Sequence, residues 1–184
     1  MLESSLAETV DALARGGIIA YPTEAVYGLG CNPADAEAVE RLLALKQRPA
    51  HKGLILIAAD LEALSPWIAA LDETLRARVM PTWPGATTWL LPAASDCPTR
   101  VRGEHETLAV RITAHPGAAE LCRAWGGALV STSANRSGET PARTAAEVRQ
   151  GLGDALDALL VGEVGTLAGP TPIRDARTGA TLRE

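Results

Sequence analysis

The chain has 184 residues, 47% hydrophobic and 21% charged, with a net charge of −5 and a pI near 5.3. That length suits one domain, here residues 1–184, able to bury a core without disulfide or metal staples, and the balance excludes a disordered chain. The acidic total argues against a dedicated nucleic-acid binder, which is usually basic throughout, but leaves room for a local basic pocket for a small anion.

In chain order, Ser4 or Ser5 caps a first helix with Leu6, Val10 and Leu13 on one face, and Gly16 and Gly17 end it. Ile18–Tyr21 reads as a buried strand, and Pro22, Thr23 and Glu24 turn out of it. A second helix begins between Asn32 and Asp35, carries Val39, Leu42 and Leu43, and stops near Arg48 because Pro49 disfavours helical geometry before it. Leu54–Ala58 is a continuous apolar run, the mark of a strand covered on both faces. Helical patterns follow over 60–70 and 72–79, then strands near 87–91 and 108–112, and a helix over 116–125. A strand at 128–130 runs into Ser131, and a helix near 144–151 and short strands near 158–161 and 171–183 follow. This alternation predicts an α/β fold with a twisted mixed sheet and flanking helices.

No apolar run approaches the ~18 residues of a membrane span, and the acidic opening residues have neither region of a secretion signal. A cytoplasmic protein without a membrane partner is therefore expected. Cys31, Cys97 and Cys122 are widely spaced and do not pair with His51, His105 or His115 at metal-ligand spacing, so reduced thiols and no protein metal site are expected.

Four segments carry candidate chemistry. The first is 46–53. Fifteen arginines accompany only two lysines, Lys46 and Lys52, and both flank Arg48 within seven residues. Such a cluster is either a basic helix end offsetting the macrodipole or a grip for phosphates by compact ammonium charges. The second, 131–138, is small and hydroxyl-rich (Ser131, Ser133, Asn135). It is either an ordinary turn or a set of donors for phosphate or carboxylate oxygens. The third, 21–30, holds Thr23, Glu24 and two glycines at a strand end and is not a Walker loop. The fourth is Arg111, a charge in an apolar strand that is either paired structurally or aimed into a site. All four lie at strand ends or in the loops after them, where open α/β sheets bind ligands.

Together with 107–112 and 170–183, these stretches resemble the YrdC-like family, in particular its short bacterial threonylcarbamoyl-AMP synthases. They occur in the family's order over nearly the whole chain. The resemblance implies a concave, positively charged face and a nucleotidyl transfer. L-threonine, bicarbonate and ATP, with Mg2+ on the phosphates, yield threonylcarbamoyl-adenylate and pyrophosphate. Downstream tRNA threonylcarbamoyl-transferase proteins then modify an adenosine beside the anticodon; contact of this chain with tRNA itself is expected to be weak.

Residue by residue, the resemblance places Lys46, Arg48 and Lys52 on the ATP phosphates as the catalytic cations. It places Thr107, Ser133, Asn135, Arg143 and Arg183 on the nucleotide, and Thr23, Arg111, Ser131 and Thr171 on threonine. Two departures stand out. Longer members carry a histidine where this chain has Ile57. They also have an additional C-terminal domain, so a loop such as 136–144 is expected to cover the site here. The alternatives are an RNA-binding module using the same basic face, disfavoured by two tyrosines and no phenylalanine, and a same-fold paralogue acting on a different carbamate.

Overall fold

A computed structural model describes residues 3–183. In chain order the elements are α1 (Leu6–Ala14), β1 (Ile19–Pro22), β2 (Tyr27–Gly30), α2 (Ala36–Leu45), β3 (Ile55–Ala58), α3 (Glu73–Val79), β4 (Thr88–Pro92) and α4 (Thr99–Arg102). They continue with β5 (Thr107–Ile112), α5 (Pro116–Trp125), β6 (Leu129–Ser133), α6 (Ala145–Leu152), β7 (Ala158–Leu159), β8 (Ile173–Asp175) and β9 (Thr181–Arg183). The nine strands form one mixed sheet in the order β7-β1-β2-β6-β3-β5-β4-β8-β9. β1 and β7, β3 and β5, and β4 and β8 pair in parallel, and the remaining neighbours are antiparallel.

Local chemistry explains the helix ends. Ser5 and Glu8 form a capping box at α1, Asp35 accepts from two amides at the start of α2, and Thr144 with Glu147 makes a second capping box at α6. The helix expected over 60–70 is absent. That segment is a run of turns, with Asp60 accepting from Ala63 N at 2.9 Å and Ile68 bridging Ala93. Its Leu61, Leu64 and Ile68 still reach the core, so apolar spacing reported burial without a helix.

Two elements escaped the sequence reading. β2 contains Gly28 and Gly30, residues that ordinarily weaken strands. Here they are needed, because a Cβ on Gly30 would lie 2.8 Å from the Tyr21 ring and 2.8 Å from Val130 O. α4 is a single turn of four residues, too short to show a period.

Strand alternation sorts side chains onto two faces. Leu54, Leu56, Ala58, Leu108, Val110, Ile112 and Val130 join α2, α4 and α6 in the larger core cluster. On the opposite face Ile19, Tyr21, Ile57 and Leu129 pack beneath α1 and α5. These two helices cover only part of that face. Ile55 pairs with Ala109 and Ser131, and Leu90 with Ala109, so their side chains share the face but lie beyond the helices. There the sheet is left open.

Candidate active site

The uncovered part of the sheet floors a cavity of about 660 Å³. Among the described residues six basic side chains line it, Arg48, Lys52, Arg102, Arg111, Arg143 and Arg183, together with His105, and no aspartate or glutamate does. A water-filled cleft lined by one sign of charge concentrates ligands of the other sign.

The segment after α2 places the first cations. Gln47 takes a positive φ of 47° and Arg48 N still bonds back to Leu43 O, so the chain reverses within one turn before Pro49. A 3₁₀ turn over Ala50–Lys52 follows, and Gly53, at φ 63°, lies against Arg102, where a Cβ would sit 2.7 Å from the Arg102 carbonyl. This close approach brings the 46–53 segment and α4 onto one rim. Arg48 is oriented by its own loop, with Nε donating to Gly53 O at 2.9 Å, and burial pulls its pKa down. Lys52 is exposed at the rim.

Lys46 is placed differently. It is 8% exposed and does not line the cavity; its ammonium donates to Ser133 O at 2.6 Å, Asn135 O at 2.6 Å and Asn135 Oδ1 at 2.8 Å. All three of its protons are engaged by the end of β6 and the loop after it. Burial, helped by the neighbouring Arg48 charge, lowers its pKa to about 8. Asn135 also stands behind the wall, accepting from Ser133 Oγ at 2.6 Å and donating to Arg136 O and Glu139 O at 2.8 Å each. In this structure Lys46 and Asn135 shape the loop that presents Ser133, while Arg48 and Lys52 face the open space.

The floor holds Arg111, 4% exposed in the middle of β5. Its Nη2 pairs with Glu24 Oε2 at 3.2 Å, and Nη1 donates to Thr88 Oγ1 and Thr171 Oγ1 at 3.2 Å each. Its Nε is buried and has no hydrogen-bond partner among the described residues. A buried unpaired donor costs about 1–3 kcal/mol, an unusual feature for a residue that also lines the cavity. The two readings left open for Arg111 therefore hold together: it is paired structurally and it lines the cavity. Thr23 lies 6% exposed with Oγ1 on Val26 O at 2.7 Å, and Ser131 and Thr171 are buried in the same wall.

Arg183 reaches back from β9 and donates to Thr171 O from Nε at 3.3 Å and Nη2 at 2.7 Å. Burial lowers its pKa, and the charges of Arg111 and Arg48 lower it further, so both guanidiniums repel Arg183 across the cavity. Thr107 lines the rim, and Arg143 joins the 136–144 loop to the 162–172 loop through a long 3.4 Å contact with Leu167 O. Ile57 is fully buried under α5 and contributes nothing to the lining.

Sequence reasoning missed Arg102 and His105 on the rim and Thr88, Thr113 and the anchoring role of Glu24 below the floor. Arg102 was detectable only as one of many arginines, and threonines in strands read as ordinary β-formers. Among the described residues no group of three His, Cys, Asp or Glu side chains is placed to hold a metal ion, and the three cysteines are free and buried. Burial pushes the Cys31 and Cys122 thiols up to about 12, far from nucleophilic use. No helix among the described residues is long and apolar enough to cross a membrane.

The sequence model of the Sua5/YciO/YrdC family, described as "Telomere recombination", matches residues 11–184. The chain belongs to the Sua5/YciO/YrdC family. Among its relatives, a threonylcarbamoyl-AMP synthase of Stenotrophomonas maltophilia is 55% identical over 185 residues, covering 100% of both chains. One of Halorhodospira halophila is 57% identical over 171 residues, covering 93% of this chain and 90% of its own. The fold is also that of P. abyssi Sua5 complexed with L-threonine, at a TM-score of 0.86 and 29% identity, over 92% of this chain and 50% of that one.

Proposed function

We propose that this chain is a threonylcarbamoyl-AMP synthase that joins L-threonine, bicarbonate and ATP into threonylcarbamoyl-adenylate and pyrophosphate. The observation that carries this reading is the division of the cavity's cations. Arg48, Lys52 and Arg183 stand at the open side, suited to a triphosphate, while Arg111 lies on the floor with an unpartnered donor, suited to a carboxylate. The activity named for relatives at 55% and 57% identity supports it.

The chemistry asks for alignment and neutralisation more than for an acid, a base or a nucleophile. The threonine amine adds to carbon dioxide derived from bicarbonate and loses a proton, giving a carbamate. A carbamate oxygen then attacks the α-phosphorus, and the bond to the β-phosphate oxygen breaks as pyrophosphate leaves. A dianion thus approaches a polyanion, and the side chains lining the cavity supply the opposing positive field. Arg111 takes the threonine carboxylate, with Thr23, Ser131 and Thr171 around its amine and hydroxyl. Arg48, Lys52 and Arg183 take the phosphates. Ser133 and Thr107 face the nucleotide, Arg143 closes over it, and Lys46 with Asn135 fixes the loop that carries Ser133.

Among the described residues the lining holds no carboxylate, so none of them fits a resident Mg2+; we take the metal to enter with the substrate as its ATP complex. The adenylate passes to tRNA threonylcarbamoyl-transferase proteins for modification of an adenosine beside the anticodon, in the cytoplasm.

Pyrophosphate release by the purified chain with Mg2+ and ATP tests the reading. Release is expected only when threonine and bicarbonate are both present. Release indifferent to either, or supported equally by other amino acids, would reject it.

A further inference from the structure

We infer that Glu24 is a positioning residue for the amino-acid half of this reaction, acting through Arg111, and that Thr113 supports it. The inference rests on the proposed activity. Glu24 does not line the cavity, yet its carboxylate is fully engaged behind it. Oε2 accepts from Arg111 Nη2 at 3.2 Å, and Oε1 accepts from Thr113 Oγ1 at 2.6 Å and Ala114 N at 3.2 Å. Thr113 is 1% exposed, and its hydroxyl in turn accepts from His115 N at 3.1 Å.

The Glu24 backbone is held as firmly as the side chain. Leu167 N donates to Glu24 O at 3.1 Å, and Gly165 packs so closely that a Cβ there would fall 2.5 Å from the same oxygen. The hairpin turn between β1 and β2, the loop after β5 and the 162–167 loop therefore converge on one residue, the second on its carboxylate and the third on its backbone carbonyl. Among the described residues its one charged partner is Arg111.

An arginine has several rotatable bonds, and a planar fork binds a carboxylate well only when its plane is set beforehand. Thr88 and Thr171 hold one terminal nitrogen of Arg111 and Glu24 holds the other, which fixes the guanidinium plane beside the cavity. Glu24 also balances the Arg111 charge in a place where Arg183 repels it. Among the described residues Glu24 pairs with neither Arg48 nor Lys52, whose contacts stay within their own loop, so these two phosphate cations do not lean on it directly.

The test is steady-state kinetics of the full chain carrying Glu24→Gln or Thr113→Val, with KM measured separately for threonine and ATP. Glu24→Gln keeps the shape and removes the charge; it is expected to raise the threonine KM roughly tenfold to a hundredfold, with the ATP KM nearly unmoved. Thr113→Val removes one anchor and is expected to raise the threonine KM about threefold. Both KM values rising together, or neither rising, overturns the inference. Should Glu24→Gln show no cooperative melting, Thr113→Val decides by the same split. A wild-type chain without threonine-dependent release overturns the activity itself and this inference with it, whereas an active wild type with unmoved variants overturns this inference alone.

Discussion

The rim of the cavity and its floor are both built from cations, but they are held in opposite ways. Arg48 and Lys52 stand on a reversing loop, satisfied by little more than that loop's own carbonyls, and they face open space. Arg111 sits in a central strand, 4% exposed, locked by a carboxylate and two hydroxyls from three other parts of the chain. A cation that waits for a mobile, highly charged polyphosphate needs reach and little support. One that must read a small carboxylate needs a fixed plane, and a fixed plane requires partners that also stabilise the fold.

That difference predicts which variants damage the fold and which damage only turnover. Arg111→Leu strands the Glu24 carboxylate in a buried site without its counter-charge. Breaking a buried pair from one side costs about 3–5 kcal/mol, so urea unfolding should show a large loss of stability alongside lost threonine binding. Arg48→Ala and Lys52→Ala break no buried ion pair; Arg48 gives up bonds to its own loop, and on the proposed reading both lose phosphate contacts. Each should reduce kcat by roughly a hundredfold to a thousandfold, the equivalent of about 2–4 kcal/mol in the transition state, while melting changes little. Rim variants that unfold as readily as Arg111→Leu, or that retain wild-type rates, would erase the distinction.

Lys46 belongs to neither class, although it lies only six residues from Lys52. Its folded pKa of about 8 is below the ~10.4 of an unfolded lysine. Between those values the folded chain binds fewer protons than the unfolded one, so stability contributed here rises with pH. Below about pH 8 the full penalty of burying the ammonium is present, and it is relieved as pH climbs towards 10.4. The gap in unfolding free energy between wild type and Lys46→Met should therefore shift in favour of wild type by at most about 1.4 kcal/mol per pH unit over this window. A gap that stays flat from pH 7.5 to 9.5 would place the folded pKa of Lys46 near its ordinary value.

The rim was far more legible in the sequence than the floor. Lysine scarcity marked 46–52 as a place apart, and Pro49 with Gly53 marked the reversal that exposes Arg48 and Lys52. What spacing left open was how two neighbouring lysines divide, because only the tertiary path of the loop after β6 gives Lys46 its three acceptors. On the floor, Arg111 was conspicuous as a charge among apolar neighbours, but its partners Glu24, Thr88 and Thr171 come from segments up to 87 residues away. No local pattern encodes such a meeting. The same limit hid β2, whose glycines are read as breakers until the Tyr21 ring beneath them is in view, and it produced a helix over 60–70 where a run of turns delivers the same apolar residues to the core.

Ile57 gives the smallest effect and the sharpest check on where the floor ends. By sequence it occupies a position where longer family members have a histidine, and so it raised the question of whether threonine is read differently here. In the fold its Cα pairs with Arg111, but its side chain is completely buried among Tyr21, Leu129 and the α5 residues Leu121 and Cys122. It therefore lies under the covered part of the face, next to the site and outside it. Ile57→Val removes one methylene from a close-packed cluster and should cost about 0.5–1.5 kcal/mol of stability. Because the Arg111 anchors do not involve this side chain, the threonine KM should stay where it is. A threonine KM that moved with this conservative change would mean that the covered and open parts of the face form one surface, with packing beneath α5 setting the amino-acid pocket.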